Sequence, residues 1–386
     1  HAVILGPDKE SIYVIVGDQT ALPEYDLSRV PEAWGEDQLL PRIYGRAFMK
    51  GVLAPRGWIA RTDPDGGHWE IIATGFRNEY DAAFNREGEL FTFDSDMQWD
   101  LNTPWYRPNR VNHVTSGAEF GWRNGSAKWP DYYPDSLPAI VNIGPGSPTG
   151  VTFGYGARFP AKYQDAFYIC DWTFGKLYAV HMTPSGSTYK AEFEEFITGT
   201  PLPFTDLEVN PHDQALYFLI GGRRVQSALY RVTYTGDEST QASKRNRDGA
   251  SARALRQKLE SYHGVKDPAA ISKSWPHLGS ADRFLRYAAR VAVEHQDTSH
   301  WQEKALKESN PQRALAALLA LSRMGDTRVQ PRLLQALDQI RWDVLSATER
   351  LELVRIYSLA FIRMGAPDNS ARASLTARFE AIFPTA

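Results

Sequence analysis

One unit recurs through the first 236 residues and constrains the fold more than any other feature: an apolar strand, a polar turn, then a strand centred on an aromatic. It reads HAVILGPDKESIYVIVGD (1–18), EYDAAFNREGELFTFDSD (79–96), VTFGYGARFPAKYQDAFYICDW (151–172) and FTDLEVNPHDQALYFLIGG (204–222), which aligns Tyr13, Phe91, Tyr168 and Tyr217. Third strands are expected at GWIARTD, RVNHVTSG, GKLYAVHM and SALYRVTY, and fourth strands at WEIIATG (69–75) and AEFEEFITG (191–199). Short β-branched and aromatic runs bounded by Gly, Pro, Asp and Asn are strand signals. Four-stranded units repeated in sequence predict a β-propeller, whose blades pack radially around a channel. A β-sandwich is the rival, but it does not account for the recurrence. Four units are few for a closed ring. The reading is therefore a partial propeller, with one or two blades upstream of His1 or an open ring with exposed strand edges.

Past residue 236 the pattern changes. DESTQASKRNRDGA (237–250) is polar, charged and free of aromatics, so it reads as a linker. Helical periodicity follows over 251–386, with Phe284, Tyr287, Ala288, Val291 and Ala292 on one face. Asn310-Pro311 supplies an N-cap and a first-turn proline, and Ser346 to Glu349 reads as a capping box opening a helix to Met364-Gly365. About six antiparallel helices with short loops predict a HEAT-like solenoid. The fold class is thus multidomain β plus α, with the β half at 1–236. A helical module of this kind binds or spaces a partner more often than it catalyses.

Composition sharpens that division. From Asp237 onward the chain has 23 Lys and Arg against 17 Asp and Glu (+6), leaving 20 against 29 (−9) before it. Eight of the eleven tryptophans also lie in the acidic half. Neither half has the concentrated basic face of a nucleic-acid binder. No apolar run approaches the roughly 20 residues that span a membrane, and no signal peptide is visible. The chain opens on His1 rather than Met, which predicts processing or a fragment. Cys170 is the single cysteine, so an internal disulfide, a CxxC pair and a CxxCH haem site are excluded. Walker, GxGxxG, HExxH and GxSxG motifs are also missing.

Candidate chemistry concentrates between Gly75 and Gly125. Asp94, Asp96 and Asp100 leave a strand and enter a loop, which suits a hard cation such as Ca²⁺. The alternative is turn-forming aspartates that cap backbone amides. Arg77-Asn78 opens a blade's inner strand, where a forked guanidinium suits a carboxylate or a sugar hydroxyl. Trp105, Arg107, Arg110 and His113 combine aromatic platforms with polar groups, as carbohydrate binding requires. WYRP is alternatively a packed loop with Arg107 stacked on Trp105, and His113 a satisfied structural histidine. Asp171, Arg223 and Arg224 end later units at positions equivalent to Asp94–Asp96, so the repeat predicts their convergence on one mouth.

GFRNEYDAAFNREGELFTFDSDMQWD, with PWYRPNRVNHV and AEFGWRNG, resembles the glucose/sorbosone dehydrogenase-like six-bladed propellers. It is closest to planctomycete and verrucomicrobial multidomain proteins labelled "membrane-bound dehydrogenase" or haem-binding, in which HEAT-like helices and a c-type cytochrome domain follow the propeller. The resemblance covers nearly the whole chain, LGSADRFLRYAARVAVEHQ included. It implies an extracytoplasmic, sugar- or polyol-directed oxidoreductase, a helical docking module and a c-type cytochrome or protein partner. More distant soluble quinoprotein glucose dehydrogenases use pyrroloquinoline quinone and Ca²⁺. Their catalytic histidine precedes a strand leading into GPD. Here His1 precedes VILGPD, closer to it than that base, so the counterpart is His1 or a residue upstream. Arg77-Asn78 matches the pair near the quinone, and the calcium loop falls near Ser95 to Met97 with different residue types. The cations that grip the quinone carboxylates should fall near Thr173–Phe174 and Pro203–Thr205, where no residue is basic. Without charge-assisted contacts a tricarboxylate is poorly held. The second reading is therefore a non-catalytic propeller that binds a glycan or protein partner.

Overall fold

The computed structural model describes residues 1–39, 53–96, 107–124, 126–222 and 224–383. The first sheet uses β1 (Ala2–Leu5), β2 (Ile12–Val16), β3 (Leu27–Ser28), β4 (Trp58–Thr62) and β5 (Trp69–Thr74). Its order is β1-β2-β4-β5, antiparallel throughout, with β3 added in parallel beside β5. The second sheet begins with β6 (Ala82–Phe84), β7 (Leu90–Asp94) and β8 (Asn109–Val114). Three two-residue strands follow: β9 (Ala118–Glu119), which returns to β5, and β10 (Trp122–Arg123) paired with β11 (Ala127–Lys128). Only then does β12 (Val141–Gly144) close the second sheet against β8.

The third sheet is a meander of β13 (Pro148–Phe153), β14 (Phe167–Asp171), β15 (Lys176–Ser185) and β16 (Thr188–Thr198), with α1 (Ala161–Gln164) between its first two strands. The fourth has three strands, β17 (Phe204–Val209), β18 (Leu216–Gly222) and β19 (Val225–Val232). Each aligned aromatic falls on the second strand of its sheet, as the repeat predicts. The fourth strand β12 went unrecognised because residues 115–140 separate it from β8.

The alternation of side chains explains the stacking. Successive residues of a strand face opposite ways, so a strand apolar at every position packs on both sides. On β14, Phe167 and Ile169 join Phe91, Phe93 and Val111 of the second sheet. Tyr168 and Cys170 instead join Phe204, Leu207, Leu216 and Phe218 of the fourth. The third sheet is thus buried between its neighbours. The first strands stand next to one another in the order β1, β6, β13, β17.

The helical unit contains α3 (Ala269–Ser274), α4 (Arg283–Glu294), α5 (Gln302–Leu306), α6 (Pro311–Met324), α7 (Gln330–Asp338), α8 (Ala347–Met364) and α9 (Asn369–Glu380). The helix before them, α2 (Ala250–Glu260), contains the division between the two compact units, at Leu255 and Arg256. The predicted caps are present. Asn310 accepts the Arg313 amide at 3.0 Å, and Ser346 with Glu349 forms a reciprocal capping box. Phe284, Tyr287, Ala288, Val291 and Ala292 are all buried. Helices α4, α6 and α8 lie in a row, and α3, α5 and α7 each pack on the helix that follows.

The compact units interleave in sequence. Residues 31–39 and 132–135 belong with the helices, although β-unit residues flank both. Arg355 of α8 holds Asp135 through Nε–Oδ1 (3.0 Å) and Nη2–Oδ2 (2.6 Å), and Arg363 holds Asp37 through Nε–Oδ1 (2.9 Å) and Nη2–Oδ2 (2.7 Å). The expected linker is tied down as well. Gln164 donates to the Thr240 and Gln241 carbonyls at 3.1 and 2.9 Å, and Ser243 donates to Asp165 at 2.6 Å.

Candidate functional site

A strand that ends has no further ladder partner, so an aspartate there is free to accept amides from the next turn. Asp94 ends β7, and its Oδ1 accepts the Asn78 amide at 2.9 Å and the Arg77 amide at 3.2 Å. Asp171 ends β14, and its Oδ1 accepts the Ser147 and Thr173 amides, each at 2.9 Å. Both carboxylates therefore pin the loop that leads into the first strand of their own sheet. This equivalence supports the alignment that placed them together.

Asp94 also takes the guanidinium of Arg110. Arg110 Nη2 lies 3.0 Å from Asp94 Oδ2, Nη1 lies 3.6 Å from Asp96 Oδ2, and Arg110 is 0% exposed. Asp94 and Asp96 are thus engaged with one buried guanidinium and three backbone amides, those of Arg77, Asn78 and Lys128. Among the described residues, no group of three His, Cys, Asp or Glu side chains is placed to hold a metal ion, and Asp100 lies outside them. The amide-capping alternative fits Asp94 better than the calcium expectation.

Around this pair the structure assembles groups that the sequence did not single out. Glu79 is 0% exposed, and neither carboxyl oxygen has a hydrogen-bond partner. Burial, then the neighbouring Asp94, holds its pKa well above the usual carboxylate value, which favours the protonated form. Lys128 is desolvated and lies near Arg110, which together lower its pKa to about 8, while Asp131 holds its Nζ at 2.8 Å. Arg77 Nη1 donates to Ser95 Oγ at 3.0 Å, and its buried Nε has no partner. Asn112 is 0% exposed with both amide atoms unbonded. Buried polar groups left unsatisfied are costly, and they collect where function requires them.

His1 stands beside this cluster. Its Nδ1 lies 2.8 Å from the Glu79 carbonyl and 3.0 Å from the Gly17 amide. A single nitrogen cannot serve both contacts: Nδ1–H donates to the carbonyl, or the Nδ1 lone pair accepts the amide. The first tautomer leaves Nε2 as a lone pair. Gly17 is required here, because a Cβ would lie 2.7 Å from the His1 ring and 2.8 Å from Asn78 Oδ1.

A second acidic feature runs along the first strands. Asp81 accepts the Val151 amide of β13 at 2.9 Å and the Ala82 amide at 2.8 Å. Burial, with Asp206 and Glu208 nearby, raises its pKa to about 6. EYDAAF and FTDLEV align Asp81 with Asp206, so comparing the two repeats would have found this pair.

Of the other expected residues, His113 stands apart: it lies on the opposite face of the second sheet from Asp94 and Arg110, since β7 pairs Phe91 with His113 and Asp94 with Arg110. It is 0% exposed, bonded to Glu89 and Thr188 at 2.8 Å each, and stacked on Phe91. The structural reading of His113 therefore replaces the substrate-binding one. Asp171 is buried, its Oδ1 committed to amides. Arg224 is exposed in the β18–β19 turn with φ +64°, and Arg107 is half-buried two residues before β8. Trp105 and Arg223 lie outside the described residues.

The positions expected to grip a quinone hold neutral groups. Thr173 donates its amide to Asp171 and its hydroxyl to Ser147 Oγ (2.8 Å), and Thr205 donates to the Leu219 carbonyl (3.2 Å). Beside Thr173 lies the carboxyl of Asp171, itself within the field of the Lys176 ammonium. Thr173 and Thr205 themselves offer a tricarboxylate no cation.

No protein-family model and no curated protein matches the chain. Solved structures similar to it include a putative oxidoreductase (glucose dehydrogenase) from Thermus thermophilus, with 18% identity and a TM-score of 0.42 over 59% of this chain and 63% of that one. Another is the PQQ-bound aldose sugar dehydrogenase from Streptomyces coelicolor, with 14% identity and a TM-score of 0.38 over 59% and 60%. A third is the holo PQQ domain of pyranose dehydrogenase from Coprinopsis cinerea, with 11% identity and a TM-score of 0.35 over 56% and 66%. The chain therefore spans less than two thirds of each. Likenesses this distant decide neither the blade count nor the chemistry.

Proposed function

We propose that the four sheets are blades of a glucose/sorbosone dehydrogenase-like propeller, that the helical unit is a HEAT-like docking module, and that the protein is a sugar- or polyol-directed oxidoreductase. The carrying observation is the arrangement at Arg77 and Asn78. Their backbone is pinned by Asp94, next to the buried Glu79 and to a histidine held through Nδ1. In that arrangement Nε2 of His1 takes the carbinol proton while the C–H electron pair leaves as hydride to a diffusible quinone or redox dye, giving the carbonyl product and the reduced acceptor. Arg77 and Asn78 orient the hydroxyls. The resemblance supports an extracytoplasmic setting and a c-type cytochrome as the ultimate electron partner.

A second reading has its own support. The neutral residues at Thr173, Phe174 and Pro203–Thr205 favour a propeller that binds a glycan or protein without catalysis. Dye-linked oxidation of an aldose and polyol panel, with and without added quinone and Ca²⁺, separates the two. The enzyme reading expects turnover that falls at least about tenfold in Arg77→Ala while circular dichroism stays unchanged. No turnover on any substrate, together with glycan-array binding by the same preparation, sinks it in favour of the second.

A further inference from the structure

Within the helical unit, a cavity of about 10 Å³ has room for a single water-sized body. Its walls are Arg283, Arg286, Tyr287 and Arg290 of α4, Ala316 and Leu319 of α6, and Pro134. The three arginines are spaced i, i+3 and i+7, which puts them on one face of the helix. Arg283 donates to the Tyr133 carbonyl at 2.7 Å, Arg286 pairs with Glu352 at 3.1 Å, and Arg290 Nη1 pairs with Glu294. Arg290 is only 2% exposed, yet its Nη2 has no partner. Glu294 also leaves one oxygen unbonded, but it is not part of the cavity wall.

We propose that this cavity is a binding site for a monatomic anion of the halide class, held by Arg290 Nη2 between the flanking guanidinium groups. The side chains around it are three guanidinium groups, one phenol and apolar groups, with no carboxylate, and a guanidinium has no acceptor. A halide only accepts, which suits a wall dominated by N–H donors. The size excludes phosphate and sulfate. Burial strengthens the attraction, because the low local dielectric screens it little.

The test uses the full chain, melted in sodium chloride, sodium bromide and sodium gluconate at equal ionic strength, with ³⁵Cl NMR linewidths alongside. A ligand that binds only the folded state raises the melting temperature with its concentration, here by about 3 °C at saturating halide. The ³⁵Cl line should broaden with protein and narrow again with excess bromide. Arg290→Met and Ala316→Leu should each abolish both effects; the second fills the cavity and leaves every ion pair in place. Equal melting in halide and gluconate with no line broadening overturns the proposal in favour of water. Halide effects that survive in both variants overturn it in favour of a site elsewhere. If either variant fails to fold, the wild-type salt comparison and linewidths still decide.

Discussion

In the helical unit the buried carboxylates Asp135 and Glu294 meet guanidinium groups; in the β unit Asp94 does so too, but Glu79, Asp81 and Asp171 are desolvated without a guanidinium hydrogen bond. Burial alone would raise the pKa of Asp135, but the forked Arg355 beside it holds it to about 2. Glu294 is shared between Arg290 and Arg323. Glu79, Asp81 and Asp171 are instead raised by burial, although amides relieve the last two. The helical unit therefore uses its buried charge for cohesion. The β unit holds its carboxyls at a cost in stability, and such concentrations of perturbed groups are characteristic of functional sites.

Arg355→Met tests the first half of that contrast and has the largest expected effect. It strands Asp135 without its partner and removes the guanidinium stacked 3.9 Å over Tyr133. Breaking a buried pair from one side costs about 3–5 kcal/mol, read as a lower urea midpoint for the helical signal. Adding Asp135→Asn should recover part of the loss. A loss under about 1 kcal/mol would break the comparison.

The pH dependence should carry both signs. Asp135 titrates lower when folded, so its contribution is present above the unfolded value near 4 and is lost as pH falls towards 2, by about 2 kcal/mol. Asp81 titrates higher when folded, at about 6, so its contribution is full below pH 4 and is lost as pH rises through 6, by about 3 kcal/mol. Melting curves from pH 2 to 8 read both windows. Asp81→Asn should flatten the upper one alone, and an unchanged upper slope would remove Asp81 as its source.

The smallest effect is expected from Glu79→Gln. A neutral acid with no bonded oxygen gives way to a neutral amide of the same shape, so stability should stay within about 1 kcal/mol. A loss several times larger would show that Glu79 is ionised and partnered when folded, which would erase the contrast with Asp135.

The strand and helix pattern was largely legible because its signals are local. The aromatic of each repeat marked a second strand, and the Asn310 and Ser346 caps marked helix starts. Of the two readings of His113, alternation along RVNHV favours the structural one, since it groups His113 with Val111 on the face that packs against Phe91 and Phe153. Glu79 was overlooked because nothing in the adjacent residues shows that a glutamate two positions from Arg77 will lose all contact with water.

By itself, then, the sequence determined the repeat, the change from strand to helix and the positions of the caps, since each depends on residues within a few places in the chain. Only the tertiary structure decided which charges meet. Asp135 finds Arg355 across 220 residues and Asp37 finds Arg363 across 326, because packing brings their loops onto the helices. In the β unit, Asp94 takes the amides of Arg77 and Asn78 and the guanidinium of Arg110, and Glu79 is buried beside them with its pKa raised. The energy of a buried charge is set by its neighbours in space, and sequence spacing does not record them.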